Sequence, residues 1–118
     1  MKIVLSAIVL LIAFAFGAHE KSAPTEYYYF CDSRPVVKTS AKQLILYTPV
    51  KNIVCEPDGF ERLAKAWGDR VLELRQGLPV GTSDLNYYRR EAFADSVLQQ
   101  VKEYYSDTAK YTVRVILP

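Results

Sequence analysis

Tyr27-Tyr28-Tyr29-Phe30-Cys31 is the segment that most restricts how this chain can fold. Five consecutive aromatic or apolar residues of this kind favour a pleated strand, and Asp32, Ser33 and Pro35 bound it downstream. A strand alternates its side chains, so a run apolar at every position has two apolar faces. Such a strand is covered on both sides by its own chain, or on one side by a partner.

The segment is preceded by a different kind of run. Lys2 and the largely apolar Ile3–Phe16, followed by Gly17, have the layout of a secretory signal peptide over residues 1–17. The run is shorter than the roughly 20 residues a membrane-spanning helix needs. Residues 18–26 read as a flexible leader, and residues 27–118 as one domain. Whole-chain composition is 50% apolar with a formal charge of +2. Without the first 17 residues, 45 of 101 are apolar, and 14 Lys and Arg face 13 Asp and Glu. That near-neutral balance argues against a nucleic-acid binder. No second run is long enough to span a membrane, so the mature chain is expected to be secreted or periplasmic, without a membrane span.

Export sets the reading of the cysteines. Cys31 and Cys55 are an even pair, which in an oxidising compartment reads as a disulfide. The one histidine, His19, sits beside the expected cleavage point. A metal site or a Cys–His nucleophile therefore lacks its usual ligands and base, and no cofactor is expected.

Downstream, Gln43–Tyr47 and Val50–Cys55 read as one strand interrupted at Thr48-Pro49, because proline cannot donate to a ladder. A hairpin turning near Thr39–Ala41 places Cys31 near Pro49 rather than Cys55, so a disulfide requires a bulge, a later turn, or a link from the strand to the segment after it. Asp58 and Glu61 have capping-box spacing. Phe60, Leu63, Ala64 and Trp67 follow as one helical face, which Val71, Leu72 and Leu74 continue past Gly68. The alternative ends the helix at Gly68 and makes Arg70–Arg75 a strand. Thr82–Asp84 offers caps for a second helix whose secure part is Arg89–Tyr105, with Phe93, Val97, Val101 and Tyr104 as its stripe. Tyr111–Leu117 alternates as a final strand. The expected fold is α+β: a small, mostly antiparallel sheet of about three strands with two helices on one face.

Tyr27–Cys31, Leu44–Thr48, Phe60–Trp67, Arg89–Val101 and Tyr111–Ile116 follow one another in an order that resembles small uncharacterised bacterial envelope and secreted domains. The alternation is also similar to peptidoglycan-binding repeats, from whose β-α-β-β-α-β order the two closely spaced first strands depart. These resemblances imply an envelope setting and carry no site residue.

The nine tyrosines are the distinguishing count, and all lie beyond residue 17. Tyrosine presents a flat apolar body and a polar tip, which suits recognition of protein or sugar. Tyr28, Tyr87 and Tyr88, with Arg89 and Arg90, are the candidate binding residues. The chain has no G-x-S-x-G, no H-E-x-x-H and no glycine-rich phosphate loop, which weighs against an enzyme. Asp32, Glu56 and Asp58 are the nearest candidate acids. The expectation is an exported, non-catalytic domain that binds a protein or cell-envelope component through an aromatic-rich face. The alternatives are a small enzyme or enzyme inhibitor with an acidic and arginine-lined cleft, or a structural subunit that pairs through a sheet edge.

Overall fold

A computed structural model describes residues 24–56 and 58–117. The expected signal peptide and most of the leader lie outside the described residues. Seven elements follow in order: β1 (Thr25–Ser33), β2 (Gln43–Tyr47), β3 (Lys51–Cys55), α1 (Gly59–Leu74), β4 (Asp84–Tyr88), α2 (Glu91–Tyr104) and β5 (Tyr111–Val115). Thr25 and Glu26, expected in the leader, open β1 instead.

β1 is the spine of the sheet. β2 and β3 lie end to end along one of its edges, and β4 runs antiparallel along the other. Asp32 faces Tyr47 and Tyr29 faces Lys51, so Phe30 and Cys31 are opposed by three residues, Thr48, Pro49 and Val50. The extra residue is a β-bulge at the proline that cannot join the ladder. Thr48 closes the gap from both sides: its N–H donates to Cys31 O, and its Oγ1 accepts from Cys31 N–H, each at 2.9 Å. The β1–β2 pairing, Asp32 with Tyr47 and Ser33 with Leu46, is centred between residues 39 and 40, within the expected turn region.

β5 pairs with β2 in parallel, from Gln43–Tyr111 to Tyr47–Val115. The sheet is therefore mixed and has five strands, against the expected three in a mostly antiparallel sheet. The expected second strand is divided into β2 and β3, and β4 is a strand not expected from the sequence. Its first residue was expected to serve as a helix cap, but Leu85 and Tyr87 alternate with Asp84, Asn86 and Tyr88 at the period of a strand.

The helices also depart from the expected single layer, because they cover opposite faces. Trp67 and Val71 of α1 pack with Cys31, Leu46 and Ile116 on one face. On the other, α2 packs against β1 and β4, and Phe30, Ile45, Ala94 and Leu98 are buried. Phe30 is 0% exposed and its neighbour Cys31 5%, which satisfies both faces of the apolar run within the chain. The indole N–H of Trp67 donates to Asp32 O at 3.0 Å and ties α1 to β1.

Helix details follow the sequence in part. α1 continues through Gly68 to Leu74 as the stripe predicts, although Leu72 points to solvent. Asp58 occupies the N-cap without a side-chain cap; its backbone carbonyl instead accepts from Glu61 N–H at 3.2 Å. In α2 the buried line is Ala94 and Leu98, and Phe93 and Tyr104 lie at its exposed margins. Among the described residues no helix is long and apolar enough to cross a membrane.

Candidate functional site

The antiparallel register of β1 and β4 gathers the aromatic residues at one end of the sheet. Tyr28 faces Tyr88 and Tyr29 faces Tyr87. Alternation then sends Tyr27 and Tyr87 towards α1, and Tyr28 and Tyr88 towards α2. On the α1 side Phe60 stacks on Tyr87 with ring centres 4.0 Å apart, and Tyr27 meets Phe60 edge-on at 4.8 Å. The Arg89 guanidinium lies 5.7 Å from the centre of the Tyr27 ring. On the α2 side Tyr88 meets Phe93 edge-on at 5.1 Å. Offset and edge-on pairs of this kind add roughly 0.5–1.5 kcal/mol each beyond the area they bury. Tyr87 nonetheless keeps 49% of its surface in solvent.

The five residues singled out from the sequence thus fall at one end of the β1–β4 pair. Arg90 is the N-cap residue of α2 and is exposed. Arg70 and Arg75 do not join Arg89 and Arg90. Arg70 pairs with Glu73 on α1, and Arg75 is buried at that helix's C-terminal end.

A cleft of about 610 Å³ runs along β4, and Phe60, Glu61 and Tyr87 line it together with Asp32, Arg34 and Asp84. β4 pairs only with β1 among the described residues, so its outer edge opens into this space. Asp32 is 6% exposed and lies directly opposite Asp84 across the β1–β4 pair. Asn86 Nδ2 donates to Asp32 Oδ1 at 2.9 Å and to Phe30 O at 3.3 Å. Asp84 Oδ2 is buried without a hydrogen-bond partner among the described residues. Burial raises the Asp32 carboxyl above its ordinary range; the Asn86 bond opposes the rise, the Asp84 charge adds to it, and Arg34 opposes it again. Glu56 and Asp58, the other acids considered from the sequence, do not line this cleft.

The expected disulfide is not present in this structure. Both thiols are free. Cys55 sits opposite Thr25, six residues along β1 from Cys31. At ~3.3 Å per residue that is about 20 Å, whereas bridged Cα atoms lie about 4.4–6.8 Å apart. The bulge at Pro49 shifts the register by one residue and does not bring the thiols together. Burial drives the Cys31 thiol up to about 12, with the neighbouring Asp32 charge adding to the rise, so it is a packing residue rather than a nucleophile.

Sequence reasoning missed Asp84, Asn86 and Phe60 as members of one site. The alternation of Asp84–Tyr88 is the signal that would have found β4, and with it the acid facing Asp32. Among the described residues, no group of three or more His, Cys, Asp or Glu is placed to hold a metal ion. Comparison with known protein families, with curated proteins and with solved structures finds no match for this chain.

Proposed function

We propose that the protein is an exported, non-catalytic binding domain that takes a protein or cell-envelope component at the open edge of β4. One observation carries this reading: an unpaired strand edge opens into a cleft of about 610 Å³ beside the Phe60–Tyr87 stack. An open edge offers main-chain hydrogen bonds to an extended segment, and the adjoining side chains supply selectivity. Tyr87 and Phe60 provide flat apolar area at low entropic cost, and Glu61, Asp84 and Arg34 provide polar contacts.

Export to the periplasm or beyond rests on the N-terminal segment alone, since the cysteines no longer support it.

The test is capture from the envelope and secreted fractions of the native source, with immobilised wild-type protein beside Tyr87→Ala and Tyr104→Ala. Tyr104 is the control, because it is 70% exposed and lies at the far end of α2 from Phe93. A partner held by wild type and Tyr104→Ala but released by Tyr87→Ala supports the reading. A partner indifferent to Tyr87 refutes it.

A second reading, a small enzyme or enzyme inhibitor, draws on the buried Asp32 and the unsatisfied Asp84 Oδ2 in the same cleft. It predicts an activity or inhibition that Asp32→Asn abolishes. The third, a subunit that pairs through its sheet edge, predicts a mass that rises with concentration in size-exclusion chromatography.

A further inference from the structure

Among the described residues, the C-terminal end of α1 holds a buried cation with no carboxylate paired to it. Arg75 is 5% exposed. Its Nε donates to Ser33 Oγ at 2.9 Å and its Nη2 to Leu44 O at 2.6 Å, and both acceptors are neutral. The side-chain ion pairs among the described residues are Lys65–Asp69 and Arg70–Glu73, and neither reaches it. A buried guanidinium is ordinarily met by a carboxylate, because its desolvation is otherwise uncompensated.

The side chain is nevertheless held in place. A Cβ at position 81 would run into the Arg75 Nε and Cδ, so the glycine there leaves room for it. Arg75 lines a cavity of about 170 Å³. Pro35, Val37, Leu44, Leu78 and Pro79 give that cavity apolar walls, and Lys42 adds a second cation. Gln43 Nε2 donates to Val37 O at 3.3 Å and ties the surrounding loop to β2.

A guest in this cavity must bring negative charge to Arg75 and apolar surface to the walls. A carboxylate matches the planar donor fork of a guanidinium. A phosphate would press further charged oxygens against proline and leucine, where they lose water without gaining partners. The volume holds about five or six water-sized groups at ~30 Å³ each, enough for a carboxylate on two to four carbons.

We propose that this cavity is a binding site for a short aliphatic monocarboxylate, with Arg75 as its anchor. The site lies at the opposite end of α1 from Phe60 and is independent of the proposed β4 interface.

The test titrates the purified full chain with isobutyrate, with its neutral isostere isobutyramide and with inorganic phosphate. Calorimetry reads affinity, and the Arg75 Nε–Hε resonance reports the position of the contact. The expected result is saturable one-to-one binding of isobutyrate that shifts this resonance. Isobutyramide, which lacks the charge-assisted hydrogen bond, and phosphate, which presses extra charged oxygens against the apolar walls, should each bind at least about tenfold more weakly. Arg75→Met should abolish binding, but it also strips Ser33 and Leu44 of a donor and can lower stability. Ala41→Leu therefore accompanies it: Ala41 lines the cavity from an exposed loop and is not a partner in the Arg75 hydrogen bonds, so a larger side chain there takes up guest space. It should weaken isobutyrate at least about tenfold with the unfolding midpoint unchanged, again the scale of one charge-assisted bond. No saturable binding by folded wild type, equal binding of the amide or of phosphate, or an Ala41→Leu variant of unchanged affinity would each overturn the assignment.

Discussion

Trp67→Phe tests the joint between α1 and the sheet. The indole is buried in the core formed by Cys31, Leu46, Val71 and Ile116, and its N–H donates to Asp32 O at 3.0 Å. Phenylalanine keeps most of the ring but loses the donor. A buried acceptor deprived of its partner costs about 1–3 kcal/mol, and the smaller ring leaves a void worth about another 1 kcal/mol. The expected loss is about 2–4 kcal/mol, a large share of the roughly 5–15 kcal/mol that holds a domain together. For a domain of this size each kcal/mol moves the thermal midpoint by about 4–8 °C, so the midpoint should fall by at least about 8 °C. Urea unfolding followed by far-UV circular dichroism is the suitable assay, because the substitution removes the chain's one tryptophan as a fluorophore. The denaturant slope should stay constant while the midpoint falls. A loss below about 1 kcal/mol, the net worth of an ordinary hydrogen bond, would refute the described contact.

Three further outcomes follow from the same geometry. Gly81→Ala places a methyl group against the Arg75 side chain and should destabilise the fold by about 1–3 kcal/mol, measured by the same urea titration. Asp32 holds its proton more tightly in the folded chain than in the unfolded one, because burial raises its carboxyl. Its contribution to stability is therefore greatest below the unfolded value and falls as pH rises through the raised folded value. Asp32→Asn should remove that decline and leave the variant more stable than wild type at neutral pH, as thermal melts across pH would show. The native protein should keep both thiol hydrogens in a non-reducing mass measurement, and Cys31 should resist alkylation until the chain unfolds. A mass lower by two hydrogens would restore the disulfide.

The local patterns were legible in the sequence wherever a period ran long enough to stand alone. The stripe from Phe60 through Trp67 to Val71 placed α1, the alternation at Tyr111–Val115 placed β5, and Pro49 marked the bulge. What was lost is what depends on register and layering. Asp84–Tyr88 is only five residues long and adjoins a strong helix, so its alternation was absorbed into a helix start. Once β4 is removed, nothing in the sequence separates the helices to opposite faces, although Tyr27–Cys31 already required cover on both sides. The cysteine pairing depends on register in the same way: compartment and even count say that two thiols can join, and only register says how far apart they lie. Of the candidate site, the tyrosines and arginines were visible as clusters. The Asp32–Asp84 opposition was not, because it exists only across the β1–β4 pair. Nothing in the sequence marks Arg75 for burial, which follows from Gly81 and the turn of chain after α1.

The central claim is that β4 is the edge at which a partner docks. Hydrogen exchange of the protein alone and with its captured partner tests it most directly, because amides on an unpaired edge exchange freely and become protected when another strand joins them. The account predicts slowed exchange at Asp84–Tyr88 and in the first turns of α1 around Phe60, with Tyr104–Tyr111 unchanged. Protection confined to Tyr104–Tyr111, with β4 exchanging as in the free protein, would contradict it.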